Sequence, residues 1–92
     1  MKPIDPKLIL QTLGQTIVAL RKSRGIAQDR LAHDAVIERA HMSGIERGKF
    51  NAGFATVYRV LPVLGVTLSQ FAVEFDRILR QRNRNRKHNK VN

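Results

Sequence analysis

The stretch AQDRLAHDAVIERAHMSGIERGK, from Ala27 to Lys49, constrains this 92-residue chain most. Its apolar residues fall at helical steps twice, with a short break between the two sets. Leu31, Ala32 and Ala35 mark the inner face of one short helix over Ala27–Ala35. Met42 and Ile45 mark a second over Glu38–Arg47, with Ile37 as the apolar residue before its cap and Gly48 as its stop. Ala32 stands where the two helices meet, and a large side chain there would push them apart. What remains outward on the second helix is Arg39, Ala40, Ser43 and Gly44, with His41 toward the edge of that face. Two short helices joined by a tight turn suit duplex DNA: one lies in the major groove while the other braces it across the phosphates.

The rest of the chain reads as support. Asp5-Pro6 starts a helix, with an acid at the N-cap and proline at the first helical position. Leu10, Leu13, Ile17 and Leu20 recur at three- and four-residue steps, and Gly25 ends the segment, so helix 1 spans about Pro6 to Arg24. Gly14 weakens its middle. After a loop over Lys49–Gly53, helix 4 runs from Phe54 to Leu64, burying Val57, Val60, Leu61 and Leu64. Pro62 removes a backbone bond there, which predicts a kinked or shortened helix. Helix 5 runs from about Thr67–Ser69 to Arg80, with Leu68, Phe71, Ala72, Phe75 and Leu79 on one side. The expectation is an all-α, five-helix domain over residues 1–80.

The last residues, RQRNRNRKHNKVN, hold six cations, no acid and one apolar residue. Such a segment has too little apolar surface to fold alone, which predicts a flexible, disordered basic tail over 81–92. The whole chain carries 17 Lys+Arg against 7 Asp+Glu, a formal charge of +10, and so attracts polyanions. With no cysteine, disulfides and thiolate metal sites are excluded. His33, His41 and His88 lack metal-ligand spacing, so no metal and no cofactor are expected. No nucleophile, carboxylate pair or phosphate-cradling loop stands out, which argues against an enzyme. No apolar run approaches the roughly 20 residues that cross a bilayer, and the N-terminus lacks a signal-peptide pattern. A cytoplasmic, nucleoid-associated protein is expected.

The chain also resembles a known family. Leu13-Gly14, Leu20-Arg21-Lys22, Arg24-Gly25, Gln28, Leu31-Ala32, Ile45-Glu46-Arg47-Gly48-Lys49 and Leu64-Gly65-Val66 are similar to the Xre/Cro phage-repressor type of helix-turn-helix protein, over about Leu13 to Phe75. The resemblance implies a lambda-repressor-like fold and roles by position. Gln28 matches a phosphate contact that also buttresses helix 3. Glu38, Arg39, Ala40, Ser43 and Gly44 match base-facing positions, and Arg47 and Lys49 match backbone contacts. Arg21 and Glu46 match a buried ion pair. Helix 5, through Leu68, Phe71, Phe75 and Leu79, matches a dimerisation element. Two departures stand out. Val36 replaces the usual turn glycine, and a β-branched residue is costly at positive φ, which predicts a turn built differently. Glu38 stands where a small hydroxyl residue often caps helix 3; it either caps weakly or accepts from a cytosine amino group.

These readings converge on sequence-specific binding of double-stranded DNA by a homodimer that regulates transcription at a near-palindromic operator. Arg39 would pair with a guanine and Ala40 would meet a thymine methyl. The SGIERGKFN segment leans toward the restriction-modification controllers of the family. Two alternatives stay open: an antitoxin-type protein that neutralises a toxin, and a non-specific nucleic-acid binder driven by its tail. A protein partner, toxin or polymerase, belongs to that set.

Overall fold

The computed structural model describes the backbone from residue 3 to 91 and side chains from residue 3 to 85. Five helices follow one another: α1 (Pro6–Ser23), α2 (Gln28–Asp34), α3 (Arg39–Glu46), α4 (Phe54–Leu64) and α5 (Leu68–Val91). Among the described residues there is no strand.

Helix starts follow local chemistry. Asp5 caps α1 by accepting from the Lys7 amide at 2.9 Å, with Pro6 in the first turn. At α5, Thr67 and Gln70 form a reciprocal capping box: the Thr67 amide donates to the Gln70 side chain at 2.9 Å, and the Gln70 amide donates to Thr67 Oγ1 at 3.1 Å. Glu38 precedes α3 but makes no side-chain capping bond, so of its two expected roles the cap is absent.

The first four helices end alike. A residue in left-handed conformation follows each, and the next amide reaches back five residues: Ile26 to Arg21, Ile37 to Ala32, Lys49 to Gly44 and Val66 to Leu61. In three of them the left-handed residue is glycine (Gly25, Gly48 and Gly65); in α2 it is Val36, at φ 56°. The turn between α2 and α3 is therefore the same closure as the others, not a different one. The Ile37 and Ala32 anchors, both buried, hold valine in a conformation that its own side chain disfavours. α4 ends two residues beyond Pro62, where the Gly65 amide bonds the Pro62 carbonyl at 3.2 Å.

The core joins all five helices around Ile17, Leu31, Met42, Ile45, Leu64 and Phe71. α1 departs from the apolar pattern. Leu8, Thr12, Gly14 and Thr16 are buried alongside Ile17 and Leu20, while Leu10 and Leu13 are half-buried. The buried hydroxyls are satisfied within the helix, Thr12 to the Leu8 carbonyl and Thr16 to the Thr12 carbonyl, both at 2.7 Å. Gly14 is there for contact. A Cβ on it would lie 2.5 Å from the carbonyl oxygens of Ile45 and Glu46, so α1 and the end of α3 touch backbone to backbone.

α5 does not stop near Arg80; it continues to Val91. Nothing between Arg80 and Val91 breaks a helix, since the segment holds no glycine or proline. Arg82 also fastens it to α1, donating to Gln15 and, at 2.7 Å, to Gln11. A domain boundary at residue 80 thus falls inside a helix. The side chains of Arg86, Lys87, His88 and Lys90 lie outside the described residues.

Relieving Val36 tests the closure. Left-handed backbone costs a non-glycine residue about 1–2 kcal/mol, partly offset by the roughly 0.5–1 kcal/mol of chain entropy that glycine loses on folding. Val36→Gly should therefore stabilise the domain by up to about 1 kcal/mol, read as a higher Tm.

Candidate nucleic-acid interface

α3 buries Met42 and Ile45 and turns the opposite arc outward. Arg39, Ala40, His41 and Arg47 are exposed on it, as is Lys49 just beyond, while Ser43 is half-buried. Glu38 is exposed at its start. The arc carries three cations and, apart from Glu38, no acid, so its own charge favours a polyanion.

What fixes this rod lies behind it. The Glu46 carboxylate accepts from Arg21 through two bonds, Nε to Oε2 and Nη2 to Oε1, each 2.8 Å. Gln28 donates to the same Oε1 at 2.8 Å, and Arg21 Nη1 reaches the Ile26 carbonyl at 3.2 Å. The Arg21 and Glu46 side chains are 13% and 4% exposed, so the pair is nearly dry. Hydrogen bonding to Glu46 holds the Arg21 guanidinium protonated beyond its ordinary range, against the opposing pull of burial. One carboxylate from α3 thus ties α1 and α2 together. Gln28 keeps a second amide hydrogen that is not spent on Glu46.

Arg39 is held from the front. Its Nε donates to Asp29 Oδ1 at 3.1 Å, across the first turns of α2 and α3. Both side chains are mostly exposed, at 78% and 64%, so this pair is weak and easily exchanged for another acceptor. Arg47 folds back, its Nε donating to the Ser43 carbonyl at 3.3 Å.

Two expected positions sit otherwise. Gly44 lies on the outward arc but is buried: the Phe50 ring covers it, and a Cβ on Gly44 would lie 2.2 Å from two ring carbons. Phe50 itself stays 46% exposed and stacks on His41, with ring centroids 5.5 Å apart and planes 18° from parallel. In α5, Phe71 is 4% exposed and belongs to the domain core, so it cannot serve a second chain. Leu68 is exposed, and Phe75 and Leu79 are half-buried.

Sequence reasoning missed Asp29 and Phe50. Asp29 meets Arg39 through the fold, with no local signal. Phe50 had one: a glycine within an eight-residue helix marks a close approach, and the nearest aromatic residue follows it by six.

Removing Glu46 should strand a nearly buried guanidinium. Glu46→Ala should cost about 3–5 kcal/mol in urea unfolding, whereas Gln28→Ala, which leaves the bidentate pair intact, should cost about 1 kcal/mol. Equal costs would mean the two bonds are not ranked this way.

No family model matches the chain. In sequence it is similar to the immunity repressor protein of Bacillus phage phi105, with 36% identity over 63 residues, covering 68% of this chain and 44% of that protein. The chain thus spans less than half the length of that relative. In structure it is similar to the clp gene regulator ClgR of Corynebacterium glutamicum, with a TM-score of 0.85 and 18% identity, covering 99% of this chain and 93% of that one. It is also similar to the restriction-modification controller protein C.Esp1396I, solved as a tetramer in complex with its natural 35 base-pair operator, with a TM-score of 0.73 and 24% identity over 77% of this chain and 93% of that one. Five helices, a propped α3, the IERGK closure and these likenesses agree with the resemblance to the Xre/Cro phage-repressor type of helix-turn-helix proteins.

Proposed function

We propose that this chain is a sequence-specific double-stranded DNA-binding regulator of transcription, acting as a homodimer on a near-palindromic operator. The observation that carries this reading is the outward arc of α3, cationic and exposed, on a helix whose inner face and C-terminal end are locked. The names of its relatives, an immunity repressor and a controller solved on its operator, support it. A regulator of this kind works where the chromosome is, in the bacterial or phage-infected cytoplasm.

In this reading Arg39 exchanges Asp29 for the O6 and N7 of a guanine, and Ala40 meets a thymine methyl. Asp29 orients Arg39 in the free protein and is a positioning residue. Ser43 and Glu38 are further candidate readers. Gln28, through its second amide hydrogen, Arg47 and Lys49 take phosphates. These contacts supply affinity that falls steeply with salt, while the base contacts choose the site. Two copies of α3 enter successive major grooves about 34 Å apart.

The pairing surface proposed is the exposed flank of α5, Leu68, Ala72, Phe75 and Leu79. These residues share one helix face beside the buried line of Phe71 and Ile78. With Phe71 and Ile78 spent on the domain core, this flank is a contiguous apolar strip that α5 leaves partly uncovered, whereas the exposed Val73 stands alone on another face.

Two experiments test the reading. In binding selections from random duplexes, Arg39→Ala should lose about 1–3 kcal/mol and relax preference at one base position; a uniform loss on all sequences would remove Arg39 as a reader. Ala72→Glu places a charge on an exposed position of the flank, so the fold should survive while light scattering reports a monomer. A persistent dimer would move the interface elsewhere.

A further inference from the structure

We infer that Phe50, a loop residue, is a specificity-determining residue of the DNA interface, presenting an apolar surface to a thymine methyl. The inference rests on the DNA-binding reading above and deepens it. Helical geometry places position 44 on the outward arc of α3, one turn from Ala40 and within a turn of Arg47. Gly44 has no side chain to offer there. The space where one would stand is filled by the Phe50 ring, whose Cδ2 and Cε2 lie 2.2 Å from the ideal Cβ of residue 44. The ring thus does from the loop what a side chain at position 44 would do from the helix.

The ring is also held in place. Gly44 lies beneath it, and His41, one turn back on α3, stacks against it. Yet Phe50 remains 46% exposed, so the held ring still offers apolar surface to a partner. Its neighbours on the arc, Arg39, Arg47 and Lys49, are cations suited to phosphate and base acceptors, so the expected occupant is DNA rather than an apolar peptide. In the major groove the apolar feature on base edges is the C5-methyl of thymine.

The test uses the full chain on its own selected site. Each thymine of that site is replaced singly by deoxyuridine, which removes the methyl and leaves the hydrogen-bonding edge intact. The wild-type protein should lose about three- to five-fold in affinity at one thymine per half-site besides the one that Ala40 meets, the scale of one methyl group. Phe50→Ala should be indifferent to that same replacement. Gly44→Ala, whose Cβ must drive the ring aside, should be indifferent too, with both variants keeping a cooperative thermal transition and an unchanged salt slope. If both variants keep the full sensitivity of the wild type, or if the wild type is indifferent at every thymine, Phe50 reads no methyl. If the wild-type protein selects no site at all, the DNA-binding reading fails first and takes this one with it.

Discussion

A single carboxylate, that of Glu46, holds the reading helix in position. It accepts two bonds from Arg21 on α1 and one from Gln28 on α2, so three helices share one anion. A buried pair of this kind adds little net stability over apolar packing, because both charges give up water. Its value is directional. A greasy contact would let α3 slide or roll by a fraction of a turn, whereas a bidentate bond fixes both angle and register. The backbone contact at Gly14 completes the joint by letting α1 come against the last carbonyls of α3. Removing either feature would leave α3 helical but loosely aimed.

Much of this was readable in the sequence, for reasons that differ by element. Helix ends were legible because left-handed closures favour glycine, and Gly25, Gly48 and Gly65 stand at three of them. The core faces of α2, α3 and α4 were legible because their inward residues are apolar. The inner face of α1 was half-legible. Thr12 and Thr16 are polar by composition and buried in fact, since each spends its hydroxyl on a carbonyl one turn back. The end of α5 was misjudged for a related reason. Charged composition argued against a packed segment, but one bidentate arginine on two glutamines supplies an anchor that no hydropathy pattern shows.

The interface was legible in its cations and obscure in its geometry. Arg39 and Arg47 sit on the exposed side by simple helical arithmetic, with Lys49 exposed just past the helix end. Gly44 shares that side and is still buried, because exposure is a property of what lies above a residue, and Phe50 arrives there from a loop. Asp29 was invisible for the same cause: its partner is ten residues away, and their meeting depends on the crossing of α2 and α3. Val36 teaches the converse. A residue ill-suited to its backbone still takes it when buried anchors on both sides leave no other path.

The way Arg82 is fastened has an electrostatic corollary. Its partners, Gln11 and Gln15, are neutral amides, so the joint consumes hydrogen-bonding capacity without cancelling any charge. A carboxylate in their place would have gripped the arginine at the expense of the molecule's far field. As built, the end of α5 is moored to the body while its guanidinium still adds in full to the +10 of the chain, and long-range pull on a distant polyanion is undiminished by the anchorage.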